Sequence, residues 1–411
     1  MAMQGSQWLR LSGHGRYFRR MALLACLLFS LKAGAQQASA SFTVRIRLAS
    51  AEDTPRVRVA PLMYDKDFAF SFTLDDGLAS AYRVALPFFR GGRVSGPYTD
   101  QWGSDQGADG RDYPGLYYSD GCGHREPFRA AVALNARNQM QDTASRPGFL
   151  SWAMADSLYH AGWDILSHGY SHATGRDVDA AAEVERNNRA VEDRLKVRMR
   201  GFVIPGGRDD YLSDTPYTRA AVHAGMETVQ CEHFGNWTVD LDTAVFRPGL
   251  TLGRKFLHTS PATGVMSGDT AVFKRIAREL ARGDKFWINA FTHGVGEENL
   301  WRISLVFPQF RAFFERLEKT WGEDGKDDMW MAPTREVFEY VRSSRLVHYG
   351  LRRKGKNLLV TVDLSRVPAG LKYHELTLVV EGGSIKKVKG YHCHAACSPA
   401  GRSPALVNVN W

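Results

Sequence analysis

From about residue 68 to residue 340, short apolar runs that read as buried strands alternate with stretches of helical periodicity. That alternation is the pattern of βα units on a parallel sheet or barrel, and it restricts the fold class to α/β. The strand-like runs fall at 68–74, 163–166, 201–204, 227–231, 286–291 and 329–332, and helices are predicted over 149–161, 178–195, 216–224, 270–282 and 307–320. Several of these helices end near a glycine, as a C-cap would. In parallel α/β folds, catalytic groups gather at the carboxyl ends of strands. Asp75 and Asp76 follow the first run, His168 the second, Pro205-Gly206-Gly207 the third and His293 the fifth. Four chemically capable groups at one edge exceed what packing requires.

The adjacent carboxylates Asp75 and Asp76 and the pair His168 and His172, four residues apart, suit one divalent metal. A closed structural zinc site uses four protein ligands, whereas a catalytic one keeps three and leaves a position for water or substrate. One Asp and two His make three, and the second Asp is left to take a proton from water.

The surrounding strings carry a resemblance. Trp163-Asp164-Ile165-Leu166-Ser167-His168-Gly169-Tyr170-Ser171-His172 resembles the second motif of the polysaccharide deacetylases, the NodB-homology or carbohydrate esterase family 4 group. Thr73-Leu74-Asp75-Asp76-Gly77 is similar to their first motif and Phe291-Thr292-His293 to their last, and 330–340 resembles their closing strand and helix. The resemblance spans about 66–343 and implies a distorted (β/α) barrel. It further implies Asp76, His168 and His172 as metal ligands, Asp75 as catalytic base and His293 as proton donor to the leaving group. The implied cofactor is a divalent metal, zinc first, with Co, Ni or Mn as alternatives, and the implied substrate is an acetylated glycan.

The third motif departs from the family pattern. Where Arg-Pro-Pro-Tyr is typical, this chain has Val203-Ile204-Pro205-Gly206, so the arginine that would orient the base is missing. Arg208 or Arg176 is the expected replacement, and Gly206, beside Pro205, can still offer its backbone N–H to an oxyanion. An acid orienting His293 is sought among Glu232, Asp240 and Asp242. Tyr118, Asp120 and Trp237 are expected to line a sugar cleft, since aromatic faces suit sugar C–H surfaces. The long segment 91–123, rich in Gly, Asp, Ser and Tyr, is expected to be a functional loop.

The chain has 411 residues, room for one large domain and a smaller module. Residues 1–35 read as a secretory signal, with basic residues, the apolar run 21–29 and small residues at 33–35, so export with cleavage near Ala35 is expected and no transmembrane segment in the mature chain. Those residues hold five basic side chains and no acidic one, so the formal charge falls from +9 to +4 on their removal. That mild balance gives no ground for nucleic-acid binding. A β ribbon is expected over 36–62, the catalytic domain over 63–345 and a small β-rich module over 346–411. Cys122, Cys231, Cys393 and Cys397 are expected to meet an oxidising compartment, where Cys393 and Cys397 are close enough to close a hairpin; a second metal at His392, Cys393, His394 and Cys397 is the lesser alternative. The alternative to a deacetylase is a catalytically impaired glycan-binding protein on the same scaffold, with Val203 marking the decay.

Overall fold

The computed structural model describes residues 41–97, 107–139, 148–175, 177–207, 215–233, 235–296 and 304–411. The expected signal segment and the candidates Arg176 and Arg208 lie outside the described residues. Two strands, β1 (Ser41–Leu48) and β2 (Arg56–Val59), precede the barrel. The barrel strands are β3 (Phe68–Leu74), β4 (Ala131–Leu134), β5 (Asp164–Ser167), β6 (Gly201–Val203), β7 (Thr228–Glu232), β8 (Leu250–Phe256) and β9 (Phe286–Thr292). Each pairs in parallel with the next, and β9 returns to β3 over its whole length, Phe286 opposite Phe68 through Thr292 opposite Leu74, so the sheet closes. All seven residues of β3 and all seven of β9 are buried, as strands covered on both faces must be.

Strand β10 (Met329–Met331) gives the barrel its distortion. It pairs with Phe68 to Phe70 at the start of β3, while β4 pairs only with Thr73 and Leu74 at its end. One flank of β3 is therefore shared: β10 at the amino end, β4 at the carboxyl end. Two barrel strands were not among the expected runs. Residues 131–134, Ala-Val-Ala-Leu, are apolar but short and rich in alanine, which is depleted in strands, and 250–256 is broken by Gly253-Arg254-Lys255 in its second half.

The helices on the outside are α1 (Trp152–His160), α2 (Ala180–Leu195), α3 (Pro216–His223), α4 (Asp269–Arg282), α5 (Phe307–Trp321) and α6 (Thr334–Leu346). Ser151, Asp179 and Thr215 cap the first three, each side chain accepting from the backbone N–H three residues on. Phe310, Phe313, Phe314, Leu317 and Trp321 make one apolar stripe of α5, and Phe314 lies 4.9 Å from Phe72 and 4.7 Å from Phe89 between ring centroids.

After α6 come β11 (His348–Lys354), β12 (Asn357–Asp363), β13 (Glu375–Glu381), β14 (Ile385–Tyr391), β15 (His394–Cys397) and β16 (Ala405–Asn410). They form two four-stranded sheets, ordered β11-β12-β1-β14 and β2-β13-β16-β15. The expected ribbon is thus not a ribbon: β1 and β2 pair with different sheets instead of with each other, because each supplies an apolar face to a separate set of C-terminal strands. No disulfide is formed among the described cysteines. Tyr340 of α6 donates to the Ala60 carbonyl at 3.0 Å, and Glu339 accepts from the backbone of Lys372 and Tyr373 at 2.8 and 3.0 Å.

Candidate active site

The carboxyl ends of β3, β5, β8 and β9 converge on one another. Asp75 and Asp76 leave β3, and Asp76 takes φ +67, a left-handed conformation rare for a residue other than glycine. His168 follows β5 directly, and His172 closes the next turn at φ +58. Two of three would-be ligands thus sit on strained backbone, each at a cost of about 1–3 kcal/mol, which the surrounding structure must impose. The result is that Asp76 Oδ1 lies 3.4 Å from His168 Nε2 and 3.5 Å from His172 Nε2. One ligand atom from each residue falls within 4.8 Å of the others, and this is the one such cluster among the described residues.

The second strand turn is held from below by α2. Asn187 donates to the Leu134 carbonyl and to Ser167 Oγ, both at 2.8 Å, and accepts from the Ala136 N–H. One turn earlier on the same face, Glu183 accepts from the N–H and hydroxyl of Ser171 at 2.7 and 2.9 Å. Asn135, at the end of β4, donates to the carbonyls of His168 and Gly169. His168 Nδ1 lies 2.9 Å from the Val203 carbonyl. A carbonyl only accepts, so Nδ1 carries the proton and Nε2 is turned toward Asp76 and His172.

Asp75 is buried, and both of its oxygens accept from Arg254, Nη1 to Oδ1 and Nη2 to Oδ2 at 2.9 Å each. Arg254 belongs to β8, two strands from β3, and spans β9 with its guanidinium 4.0 Å from the Phe291 ring centroid. Burial pushes the Asp75 carboxyl upward, but the Arg254 charge and its hydrogen bonds outweigh that and hold it below the usual carboxylate range. Asp76 is also held low: burial opposes, and the hydrogen bond to His168 with the nearby imidazoles prevails. Burial pulls His168 down, yet its bond to Asp76 and the two carboxylates raise it on balance, whereas burial and the His168 charge lower His172.

His293 follows β9, with its ring edge-on to Phe256 at 5.4 Å and Phe291 at 5.8 Å. His258 stacks on Phe256, with ring centroids 4.5 Å apart. Pro205 and Gly206 follow β6 beside the histidine turn, with Gly206 at φ +60. Of the acids considered for His293, Glu232 ends β7 on the side of the site, whereas Asp240 pairs with Phe286 at the far end of β9.

The residues expected to line a sugar cleft are elsewhere. Tyr118 is fully buried against Tyr64 and Phe128. Its neighbour Ser119 bonds Asp327 just ahead of β10, at the amino end of the barrel. Asp120 is buried there too, accepting from the N–H groups of Cys122 and His124, while its carbonyl accepts from Asn408. Trp237 lies in the core with Arg275 4.8 Å over its ring. Of these three, Asp120 is tied to a C-terminal strand through Asn408, whereas the backbone carbonyl of Trp237 accepts from Asn289 within the barrel.

No family model matches the chain, and no curated protein sequence matches it. Solved structures do. A single-residue variant of the peptidoglycan deacetylase PdaC from Bacillus subtilis aligns with 69% of this chain and 94% of its own, at 11% identity and TM-score 0.32. A CE4 family pseudoenzyme from Bacillus anthracis aligns over 67% and 66%, at 10% identity and TM-score 0.33. The deacetylase PplD of Streptococcus pyogenes, in complex with acetate, aligns over 39% of this chain and 64% of its own length, at 11% identity and TM-score 0.26. Two of these solved structures are thus named deacetylases and one a CE4 family pseudoenzyme, each alike to this chain at 10–11% identity. This chain has valine at 203, and the guanidinium that pairs with Asp75 comes instead from Arg254 of β8.

Proposed function

We propose that this chain is an exported, metal-dependent deacetylase that removes acetyl groups from N-acetylated or O-acetylated glycans. The observation that carries the reading is the spacing of its three donors. A tetrahedral zinc with ligands at about 2.0–2.1 Å has donor-to-donor edges of roughly 3.4 Å. The separations of 3.4 and 3.5 Å from Asp76 Oδ1 to the two Nε2 atoms fit that requirement. An Asp oxygen and two imidazoles suit zinc, and also Co, Ni or Mn. Bound there, the metal would polarise the acetyl carbonyl and lower the pKa of water.

The chain's own residues supply the rest. Asp75 takes the proton of the attacking water, and Arg254 fixes the carboxylate so that it stays ionised and in place. The Gly206 N–H donates to the developing oxyanion. His293 gives a proton to the departing nitrogen or oxygen, without which an amine or alkoxide leaves poorly. The first 35 residues support export. Retention of a paired, buried base supports an enzyme over the glycan-binding alternative, since a decayed site has no need to keep a charged pair out of water.

Acetate release from acetylated oligosaccharides tests the proposal. Release should stop with chelator and return with zinc or cobalt; glycan binding without any release would favour the impaired scaffold.

A further inference from the structure

The outer face of the sheet β11-β12-β1-β14 is strongly basic. Arg45 and Arg47 of β1, Lys354 and Lys356 at the β11–β12 turn, and Lys387 and Lys389 of β14 line one shallow depression of about 800 Å³ that contains no acidic side chain. All six are exposed, and none has an ion pair among the described residues. Within β1 the alternation explains their direction, because Val44, Ile46 and Leu48 are fully buried on the other face. It does not explain their sign. Arg45 stands directly opposite Lys389, and Arg47 opposite Lys387. Like charges facing one another across strands are destabilising, and Thr or Glu would serve the fold better at either place. Neighbouring strands lie about 4.8 Å apart and residues on one face about 7 Å apart, so the cations form a closely spaced array. Beside them Tyr391 is exposed, with Lys389 Nζ 5.2 Å over its ring.

We propose that this face is a second binding surface, separate from the barrel site, for an acidic polysaccharide chain bearing carboxylate or sulfate groups. The cations pair with its charges, and the Tyr391 ring offers an apolar face to a sugar ring. The depression suits an extended chain better than a membrane plane, and among the described residues Tyr391 is the exposed large apolar side chain on β14, next to Lys389. The choice of a glycan among polyanions rests on the deacetylase reading, so binding is measured on metal-stripped protein, where acetate release plays no part.

The probe is fluorescein-labelled polygalacturonate, followed by anisotropy at several salt concentrations, with neutral dextran, phosphatidylglycerol vesicles and duplex DNA as comparisons. Polygalacturonate should bind and dextran should not. Arg45→Gln with Lys389→Gln should weaken binding about tenfold or more and reduce the slope of log affinity against log salt by about two, with the melting temperature not lowered. Tyr391→Ala, which leaves every charge in place, should weaken polygalacturonate with little change in slope. No binding at low salt, binding undiminished by the paired substitutions, or tighter binding to vesicles or DNA would each overturn the proposal.

Discussion

Arg254 grips both carboxylate oxygens of Asp75 at 2.9 Å from a strand two places away in the barrel, and neither group is exposed to water. Removing one member of a buried pair strands the other, at about 3–5 kcal/mol. Arg254→Met should therefore lower stability by that order and cut turnover roughly hundredfold. The double substitution Arg254→Met with Asp75→Asn should recover part of the stability and none of the activity. Urea unfolding and acetate release measure the two effects; a stable, fully active Arg254→Met would show that the pair does not hold the base.

Asp75 and Asp76 are adjacent yet differently employed. Asp75→Asn should keep zinc at close to full affinity and lose turnover, whereas His168→Ala should lose both. Calorimetric zinc titration of the two variants separates the roles, and equal loss of metal would mean that the carboxylates are assigned the wrong way round.

Much of this site was legible in sequence because its chemistry sits at strand ends beside recognisable strings. Asp75, Asp76, His168, His172 and His293 could be named from those strings, and the structure brings the three expected ligands together. Arg254 could not be named, because its strand was not seen: Gly253, Arg254 and Lys255 break the apolar run that marks a buried strand. The available signal was the alternation Leu250, Leu252, Arg254, Phe256, which puts an arginine where an apolar side chain is expected. Tyr118, Asp120 and Trp237 misled for the converse reason. Aromatic and polar residues near turns look alike whether they line a cleft or are buried in packing, and only tertiary contacts separate the two.

The supporting helix makes its own prediction. Asn187→Ala leaves the Ala136 N–H, the Leu134 carbonyl and the Ser167 hydroxyl short of a buried partner, a loss of about 1–3 kcal/mol for each group left unsatisfied. Glu183→Ala frees Ser171 beside the strained His172 and should weaken zinc binding roughly tenfold. Unaltered zinc affinity in Glu183→Ala would show that the turn holds its shape without α2.

Far from the site, His124 Nδ1 lies 2.8 Å from Asp120 Oδ2, and that hydrogen bond, with the carboxylate charge, raises the imidazole above its ordinary 6.5. A histidine raised on folding contributes stability that is complete below its unfolded pKa and fades as pH rises through the folded one. The NMR titration midpoint of His124 should lie above 6.5 and fall back toward it in Asp120→Asn. A midpoint indifferent to that substitution would contradict the contact.

The central claim is that Asp76, His168 and His172 hold one divalent ion. Anomalous diffraction at the zinc edge, from crystals grown with the metal, tests it most directly. A single strong peak about 2.0–2.1 Å from Asp76 Oδ1 and from Nε2 of both histidines is the predicted result. A zinc peak elsewhere, with none among these three side chains, would contradict it.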